Sequence, residues 1–563
     1  MEFKNKRPIS EVAMNILRKR YFLPGETAWD EVVNRVIKHV LRTGFDTDGR
    51  EIIREMMLNR WFIPNSPCLV NSGKENGGLL ACFVVPFEDT IEDIYHTKMA
   101  FALIAKKGGG CGTTLSNIRP RNAKVNGSAH GYAGGPIDFY DTICHDMEVI
   151  TQAGFRNMAQ MGVMSVYHPD IINFITVKEV EGKMSTTNLS VGVDSNFMKM
   201  VEKDEEYATY FDFEDGRKYY ETYRARDIFN LIVEGAWRNG EPGIVFLDKI
   251  NESPYQHAGI KIEATNPCGE QPLPPYGSCN LGSLDLSKFY DENTKNVDYE
   301  KLEIATRWGI RFLDKVIDLN VFPMREIEDV AKKSRAVGLG IMGLADYFLM
   351  KKIAYGSQES LVEIESIMEF IYKIAEDESI KMGKELGIPK WCKNLPVPRR
   401  NITLLSIAPT GTISLIAGCT SGIEPVFSEI TIRNDKTGTY QFDHDLSSKP
   451  FFRCAVSANG AMEVAWNEHV WVQASVQKHV DTGVSKTINF PQNTHRETMA
   501  KAFIEGWHLG CKGMTVYRNS SRKVEVLSPK SLKKDRCPSC DAEILKFDGC
   551  KKCTKCDWTL CDI

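Results

Sequence analysis

One short segment places three reactive side chains close together. Asn266, Cys268 and Glu270 alternate along the run Asn-Pro-Cys-Gly-Glu and supply an amide, a thiol and a carboxylate. In an extended loop or strand, alternate residues project to one side, so the three groups are predicted to converge on one ligand. A thiol beside a carboxylate is a poor thiolate because the negative charge raises its pKa, which suits hydrogen-atom chemistry better than nucleophilic attack. Glu270 is then a candidate general base, and Asn266 a candidate partner for a hydroxyl or oxyanion.

Two more cysteines lie in apolar, strand-like runs. Cys82 occurs in Leu-Ala-Cys-Phe-Val-Val-Pro, and Cys279 occurs in Ser-Cys-Asn-Leu-Gly-Ser-Leu. Both runs could face a common cavity. Taken singly, each of these cysteines, and Cys268 itself, also fits a buried structural role, because free cysteine is often simply part of a core.

A phosphate-binding turn is indicated farther along the chain. The run Pro409-Thr410-Gly411-Thr412-Ile413-Ser414 combines a tight turn, exposed backbone N–H groups and three hydroxyls. These are the donors that a phosphate group requires. A glycine-rich run at 108–112 is weaker evidence, since such runs are mostly plain loops.

These motifs resemble those of ribonucleotide reductases, especially the adenosylcobalamin-dependent (class II) branch. The run from Asn266 to Glu270 is similar to the active-site finger loop of that family. Further similar segments follow in the expected order between about Trp61 and Arg522. They lie at 168–171, 188–191, 338–346, 421–427, 485–489 and 512–518. The resemblance implies an α/β fold, a ten-stranded α/β barrel with a central finger loop.

The resemblance also implies a role for each reactive residue. Cys268 would become the thiyl radical that takes the 3′ hydrogen of a ribose, Glu270 would deprotonate the 3′-hydroxyl, and Asn266 would hydrogen-bond to the substrate. Cys82 and Cys279 would deliver electrons and end as a disulfide. The implied reaction reduces a ribonucleoside di- or triphosphate to its 2′-deoxy form, with a thioredoxin-like reductant.

The resemblance further implies a set of substrate contacts. They are Asn65, Ser66, Pro67, Gly110, Pro409, Thr410, Gly411, Thr412 and Ser414. Cys68 departs from the family pattern, because it stands where the family usually has threonine.

Members of this family bind a specificity effector, a deoxynucleoside triphosphate or ATP, at the interface of a homodimer. The segment 138–147 resembles the helix that contributes to that site, and Asp141 is matched to the effector contact. The loop that follows departs from the family's Lys-Arg-Arg-Gly-Ala pattern, and within 154–160 only Arg156 clearly matches. Asp141 and Arg156 are the expected effector residues, with a plain surface arginine as the alternative for Arg156.

The expected radical source follows from the resemblance and from elimination. Class I enzymes receive the radical from a second subunit through paired tyrosines, whereas the matching segment here, 515–518, has only Tyr517. The C-terminal glycine motif of the glycyl-radical class is also missing from the sequence. Adenosylcobalamin is therefore the expected cofactor. The alternative is a class I-type large subunit that needs a separate radical-generating subunit.

Six cysteines crowd near the C-terminal end of the sequence. Two Cys-x-x-Cys knuckles predict a zinc ribbon, because a tetrahedral metal site lets so short a segment fold. The first assignment of the ligands is Cys537, Cys540, Cys553 and Cys556. An alternative uses Cys550 and Cys553 as ligands and frees Cys556 and Cys561. Cys561 is free in both versions, and the resemblance implies that it is a shuttle thiol, with Cys550 or Cys556 as its partner. The alternative, a structural zinc ribbon whose two remaining cysteines are spare, is not excluded by the sequence.

The elements that must position these residues are predicted from hydrophobic periodicity. Ser10 and Glu11 can begin a helix, and helical spacing recurs over 28–40, 302–319 and 359–385. Residues 79–86 are predicted to form a buried strand, and short strands are predicted at 403–408 and 413–417. Alternation of helical and strand-like segments favours an α/β architecture.

The predicted organisation has four parts. They are a helical N-terminal region (1–60), the reductase barrel (61–522), a charged linker (523–535) and the cysteine-rich zinc-ribbon tail (536–563).

Composition excludes several classes of protein. The 563 residues carry a formal net charge of −4 and are 42% hydrophobic, and no apolar run approaches a membrane span. We therefore expect a cytoplasmic protein that binds neither membrane nor nucleic acid. A kinase or dehydrogenase would need a glycine-rich motif between strand and helix that is not evident. A nucleic-acid-binding protein would explain the basic, cysteine-rich tail but not Asn266, Cys268 and Glu270.

Overall fold

The computed structural model defines most of the chain. It describes residues 9–125, 131–152, 156–179, 183–184, 186–213, 216, 218–435, 438–443, 447–457, 460, 462–521, 527–529, 544–547, 550–553, 555–556 and 559–561. The helices are α1 Glu11–Arg20, α2 Trp29–Val40, α3 Thr47–Leu58, α4 Ser66–Asn71, α5 Ile91–Lys107, α6 Pro136–Val149, α7 Ile171–Thr176, α8 Ser195–Lys203, α9 Ala225–Asn239, α10 Leu247–Asn251, α11 Tyr299–Leu319, α12 Arg325–Ser334, α13 Leu344–Lys351, α14 Gln358–Leu386, α15 Ile413–Ala417, α16 Trp466–Gln477 and α17 Arg496–His508. The strands are β1 Phe62–Pro64, β2 Cys82–Val84, β3 Gly110–Thr114, β4 Thr151–Gln152, β5 Arg156–Asn157, β6 Gln160–Ser165, β7 Thr187–Val193, β8 Glu206–Asp212, β9 Lys218–Arg224, β10 Gly243–Phe246, β11 Ala264–Thr265, β12 Pro272–Leu273, β13 Gly277–Asp285, β14 Tyr290–Asp291, β15 Asn296–Val297, β16 Val337–Met342, β17 Ile430–Asp435, β18 Gly438–Asp443, β19 Thr487–Phe490, β20 Gly513–Arg518, β21 Leu527–Pro529, β22 Ile544–Phe547, β23 Cys550–Cys553 and β24 Thr559–Cys561.

A ten-stranded mixed sheet forms the centre of the fold. Strands β2, β3, β6, β7 and β10 are parallel to one another. On one side β13 pairs with β2 in antiparallel fashion and continues to β16, and on the other side β20 pairs antiparallel with β10 and continues to β19. The sheet therefore has two sets of strands that run in opposite directions, and β1 pairs with β13 beside them.

The two ends of this sheet are connected by short bridges. Leu339 in β16 pairs with Leu405, and Ile407 pairs with Val484, just before β19. Strands buried on both faces explain the continuous apolar runs of the sequence. The arrangement confirms the predicted α/β class.

Helix prediction from periodicity is confirmed at the expected places. Ser10 caps α1 by accepting a hydrogen bond from the backbone N–H of Ala13 at 3.1 Å. The helices predicted over 28–40, 302–319 and 359–385 correspond to α2, α11 and α14. Helices α1 to α3 all lie within the predicted N-terminal region. None of the helices in the described part of the chain is long and apolar enough to cross a membrane.

Two local predictions were wrong. Residues 413–417 form a helix rather than a strand, because Thr410 adopts a left-handed turn (φ 51°) and Ile413, Ile416 and Ala417 are buried at helical spacing. Residues 403–408 make only isolated bridges and no named strand. The five residues of segment 413–417 are too few for periodicity to separate a helix from a strand.

The C-terminal segments form two small sheets. Leu527–Pro529, inside the predicted linker, pairs with β17 as an edge strand, so this part of the linker is ordered structure. Strands β22, β23 and β24 form an antiparallel sheet of their own. Its register places the Cα atom of Cys550 opposite that of Cys561.

Candidate functional site

The segment with the three reactive residues is the tip of a short hairpin. Strands β11 and β12 pair antiparallel, and the hairpin packs against β2, β3, β6 and β13. Its tip is a tight turn rather than the extended segment that was predicted: the N–H of Gly269, at φ 78°, donates to the carbonyl of Asn266 at 3.1 Å. The turn still brings Asn266, Cys268 and Glu270 to one cavity. Their convergence therefore comes from the turn and not from strand alternation.

Glycines surround this turn because side chains would collide with its backbone. A Cβ atom on Gly112 would lie 1.8 Å from the carbonyl oxygen of Thr265, and one on Gly483 would lie 2.5 Å from that of Gly269. The N–H of Gly483 donates to the carbonyl of Glu270 at 2.8 Å. Close backbone approach of this kind is possible only for glycine.

Glu270 is a buried carboxyl with an unusual pKa. Burial raises its pKa from the ordinary value of 4.5 to about 7, and hydrogen bonds from Asn266 and Cys82 oppose the shift. Cys82 Sγ lies 3.8 Å from Glu270 Oε1. Within the described part of the chain, the buried Oε2 atom has no hydrogen-bond partner. A carboxyl that is half-ionised near neutral pH is suited to exchange a proton with a bound ligand.

Cys82 and Cys279 are brought together as the sequence predicted. They are Cα partners across β2 and β13, and both are buried. Residues paired in this way have Cα atoms about 4.5–5.5 Å apart, which lies within the range that a disulfide spans. Burial, and then the charge of Glu270, raises the pKa of each thiol well above its usual range. Both groups are therefore neutral thiols at neutral pH, and Asn266 Nδ2 donates to Cys82 Sγ at 3.2 Å.

A cavity of 520 Å³, here called cavity A, is lined by the three reactive residues and by Cys82. Eight of the nine predicted substrate contacts also line it. They are Asn65, Ser66, Pro67, Gly110, Pro409, Thr410, Gly411 and Thr412. Hydroxyls, a thiol and a carboxylate therefore face one enclosed volume, which is of the size that small-molecule sites have.

Ser414 is the exception among the predicted contacts. Its side chain is buried and its Oγ pairs with that of Ser421 at 2.9 Å, while its N–H donates to the carbonyl of Thr410. Ser414 is thus the one predicted contact that does not line cavity A in the described structure, and its role at a phosphate stays a prediction. Thr410 also has an internal role, because its Oγ1 accepts a hydrogen bond from the N–H of Gly422 at 2.7 Å.

A second cavity, cavity B, lies on the other side of Cys268. It measures 360 Å³ and is lined by the ends of β7, β10 and β20 and by segment 484–487. Of the residues that the structure describes, only Pro267, Cys268 and Pro409 line both cavities. Cys268 is exposed, unlike the buried Cys82 and Cys279. The arrangement lets one thiol touch two different ligands.

Sequence analysis missed three basic residues at these cavities. Arg20 and Arg433 line cavity A, and Lys486 lines cavity B. Lys486 is fully buried and forms an ion pair with Glu424, and its Nζ lies 2.9 Å from His469 Nδ1. Arg20 lies at the end of α1, and its Nη1 donates to Thr412 Oγ1 at 3.5 Å across a separation of 392 residues. No local sequence pattern indicates such a contact.

The remaining predicted residues are only partly covered by the structure. Asp141 lies on α6, and Arg156 is in β5, where only the backbone is described. Cys537 and Cys540 lie outside the described residues. Among the described residues, no group of three or more histidine, cysteine or acidic side chains forms a metal site. The predicted effector and zinc sites thus stay predictions.

Comparison with known proteins gives a consistent result. Residues 80–397 and 397–517 match the family model of the ribonucleotide reductase barrel domain. A vitamin B12-dependent ribonucleoside-diphosphate reductase of Thermoplasma acidophilum is 38% identical over 92% of this chain and 72% of its own length. One from Mycobacterium tuberculosis is 35% identical over 94% of this chain and 82% of its own length. A ribonucleoside-diphosphate reductase large chain of Cryptosporidium parvum is 27% identical over 69% of this chain.

The matched segments contain the features described above. Residues 80–517, which match the family model, include the hairpin turn, the Cys82–Cys279 pair, the lining of cavity B and most of the lining of cavity A. The two vitamin B12-dependent relatives are similar over 92% and 94% of the chain. The chain therefore belongs to the ribonucleotide reductase family.

Proposed function

We propose that this protein reduces ribonucleotides to 2′-deoxyribonucleotides by a thiyl-radical mechanism that depends on adenosylcobalamin. The observation that carries the proposal is the position of Cys268 between two cavities, one of which is also lined by Glu270 and by Cys82, the strand partner of Cys279. The names of the relatives at 35–38% identity support both the reaction and the cofactor.

Each residue at cavity A has one role in this reaction. The Cys268 radical takes the 3′ hydrogen of the ribose, and the carboxylate of Glu270 takes the proton of the 3′-hydroxyl. The 2′-hydroxyl leaves as water, and Cys82 and Cys279 supply two electrons and two hydrogens as they form a disulfide. The 3′ hydrogen then returns from Cys268 to the ribose carbon, and the proton returns from Glu270 to the 3′ oxygen, so that the cysteine radical and the carboxylate are both regenerated.

The neutral state of the thiol pair fits this chemistry. A neutral thiol can donate a hydrogen atom, whereas a thiolate carries no hydrogen to give. Burial and the charge of Glu270 raise the pKa of both Cys82 and Cys279. Asn266 holds Cys82 in place through its side-chain amide and also faces the substrate cavity.

Cavity B fits the nucleoside part of adenosylcobalamin. Its 360 Å³ can hold a nucleoside, and three glycines, Gly240, Gly243 and Gly513, line it. A Cβ atom on Gly243 would lie 3.1 Å from Ser190 Oγ, so glycine keeps this wall open. Adenosylcobalamin, when bound, supplies the unpaired electron for Cys268. Lys486 and Tyr517 would contact the bound group from the walls.

The direct test is an assay of the purified chain. The protein is incubated with a ribonucleotide, dithiothreitol and adenosylcobalamin, and deoxyribonucleotide is measured. Product that forms only with adenosylcobalamin supports the full proposal. If product forms only with an added metal-containing subunit, the proposed reaction stands but adenosylcobalamin is rejected as the radical source. If no product forms in either case, the proposed function is rejected.

Gly483→Ala is expected to lower kcat by about 100-fold, the cost of a small misplacement of reacting groups. The added Cβ would press on the carbonyl of Gly269 at 2.5 Å and shift the turn that carries Cys268 and Glu270. Steady-state turnover and thermal unfolding are measured together. Gly134→Ala is the control, because Gly134 is not in the left-handed region and its Cβ would meet only the side chain of Asp138, at 3.6 Å. A folded Gly483→Ala protein with unchanged kcat would contradict the role given to this glycine.

We also propose that the C-terminal tail is a zinc ribbon that carries a shuttle dithiol. The cysteine spacing supports the metal, with Cys537, Cys540, Cys553 and Cys556 as ligands. The register of β23 and β24 supports Cys550, rather than Cys556, as the partner of Cys561. Residues paired in this way lie within the reach of a disulfide. A thioredoxin-like protein would then reduce the tail, and the tail would reduce the Cys82–Cys279 disulfide.

Cys561→Ser and Cys550→Ser are each expected to abolish turnover driven by thioredoxin and to leave turnover with dithiothreitol intact. The small reductant reaches the Cys82–Cys279 disulfide without the tail. Bound zinc should stay unchanged in both variants, whereas Cys556→Ser should lose it. Normal thioredoxin-driven turnover in Cys561→Ser would refute the shuttle, and loss of zinc in Cys550→Ser would favour the other ligand set.

A specificity effector, a deoxynucleoside triphosphate or ATP, is proposed to bind to a homodimer of this chain. Asp141 on α6 and Arg156 in β5 remain the proposed contacts. The proposal rests on the resemblance to the family, in which the effector site lies at the subunit interface.

A further inference from the structure

Strand β21 holds the chain that leads to the C-terminal cysteines against a wall of cavity A. Leu527 in β21 is the Cα partner of Arg433 in β17, and Arg433 lines cavity A. Residues paired across antiparallel strands have Cα atoms about 4.5–5.5 Å apart. The part of the chain that carries the tail cysteines therefore starts beside the substrate cavity.

The preceding strand lies at the other cavity. Strand β20 contributes residues 513–517 to the lining of cavity B, and none of the described residues from 513 to 521 lines cavity A. Strand β21 follows β20 in the order of the elements along the chain. The chain thus passes from a wall of cavity B to a wall of cavity A, and the pairing with β17 holds it at the second wall.

The pairing of β21 depends on few backbone groups. The strand lies at the edge of the sheet β18-β17-β21, and Pro529, opposite Thr431, has no N–H to donate. Leu527 and Ser528 are therefore the residues of β21 whose N–H groups can pair with β17. A hairpin of two strands is marginally stable by itself, so the third strand also supports Arg433 in the wall of cavity A.

Cys82 is the accessible member of the active-site thiol pair. It lines cavity A, whereas its strand partner Cys279 does not. A thiol of the tail that enters cavity A would therefore meet Cys82 Sγ first. Cys550 and Cys561 follow Pro529 by 21 and 32 residues. A fully extended chain of the shorter length spans up to about 70 Å, so both cysteines have the reach to enter the cavity.

We propose that β21 anchors the shuttle tail at cavity A, and that the tail of each chain reduces the Cys82–Cys279 disulfide of the same chain. The inference rests on the proposed function and adds to it the route by which the reducing electrons arrive. A tether that starts at the cavity raises the effective concentration of the tail thiols there to about the millimolar range.

The proposed transfer consists of two thiol–disulfide exchanges. The thiolate of Cys561 attacks Cys82 Sγ, the bond between Cys82 and Cys279 breaks, and Cys279 leaves as a thiolate that takes up a proton. The thiolate of Cys550 then attacks Cys561 Sγ, and Cys82 leaves and is protonated in the same way. Two electrons and two protons have then passed from the tail, now a disulfide, to the active-site pair.

The anchor is tested with Ser528→Pro in the full chain, because proline removes one of the two N–H groups, and with Ser528→Ala, which keeps it. Turnover driven by thioredoxin is expected to fall by about 10-fold in Ser528→Pro, since the tether no longer starts at the cavity. Turnover driven by dithiothreitol and the KM for thioredoxin should stay unchanged. Ser528→Ala should match the wild type in all three measurements. Equal thioredoxin-driven turnover in the two variants would overturn the anchor.

The route is tested by crosslinking, which needs no turnover. Cys279→Ser is combined with Cys550→Ser, so that Cys82 and Cys561 both lose their strand partners. Mild oxidation should then join Cys82 to Cys561, as identified by peptide mapping, and a denaturing gel shows whether the bond lies within one chain or joins two. A bond between two chains would overturn delivery within the same chain. A bond that forms equally fast after Ser528→Pro is added would overturn the anchor.

Failure of the proposed function gives different results. Absence of dithiothreitol-driven turnover in the wild type would contradict the proposed reaction, and normal thioredoxin-driven turnover in Cys561→Ser would contradict the shuttle. Either result is obtained with Ser528 unchanged, so it is distinguished from failure of the anchor.

Discussion

Cys268→Ala is expected to lower deoxyribonucleotide formation by at least about 10⁴-fold, the scale on which loss of a reacting side chain reduces kcat. Cys268 is the thiol that lines both cavities, and neither Cys82 nor Cys279 lines cavity B. No other described cysteine can take its place between the two ligands. Because its side chain is exposed, the free energy of unfolding should change by less than about 0.5 kcal/mol.

The result is checked by the product assay together with denaturant unfolding and nucleotide binding. Cys392→Ala is the control, since Cys392 is buried away from both cavities. The control should retain activity even where it loses some stability. Activity in Cys268→Ala comparable to that of wild type would contradict a thiyl-radical mechanism at Cys268. Loss of nucleotide binding would show that the substitution disturbed cavity A instead.

Glu270→Gln is expected to reduce kcat by about 10²- to 10⁴-fold, the usual contribution of a general base. The pKa of Glu270 in the unliganded protein is about 7, so the wild-type kcat/KM should fall as the pH decreases through 7 and the carboxylate is protonated. The pH profile of kcat/KM measures this limb. In Glu270→Gln the limb should disappear from the residual activity. A wild-type profile that is flat from pH 6 to pH 8 would contradict the assignment of the base.

The same substitution should also change stability in a direction set by the pKa. Burial raises the pKa of Glu270 from 4.5 to about 7, so its contribution to stability is present below 4.5 and is lost as the pH rises through 7. The ionised, buried carboxylate therefore destabilises the protein at pH 8. Glu270→Gln should raise the free energy of unfolding at pH 8 by about 3 kcal/mol, and the difference should vanish below pH 4.5. Equal stability at pH 8 would show that the carboxylate is solvated.

The chemistry of the site was predictable because it depends on residue types within short segments. Asn266, Cys268 and Glu270 are close in sequence, so any compact turn brings them together, even though the turn found here differs from the extended segment that was predicted. Cys82 and Cys279 lie in apolar runs, and strand pairing of such runs brought them opposite each other. Helix α1 was predictable because its cap, Ser10, is adjacent in sequence.

The rest depends on contacts that local patterns do not contain. The role of Arg20 arises from its packing near Thr412, and the glycine at 483 is required by the backbone of Gly269. The helix at 413–417 was mistaken for a strand because isoleucine favours strands and the segment is only five residues long. In the fold, Ile413 and Ile416 are buried on one side of the helix, and this packing outweighs the preference of isoleucine for strands.

The reactivity of the exposed thiol between the two cavities would report on the binding of ligands in either of them. Alkylating reagents reach exposed thiols, and in the catalytic body Cys268 is the exposed cysteine among those described, while Cys82 and Cys279 are shielded. A ligand in either cavity would cover the same sulfur from its own side. The rate at which the peptide containing Cys268 is labelled, followed by mass spectrometry, would therefore yield separate occupancy curves for nucleotide and for cofactor without any turnover.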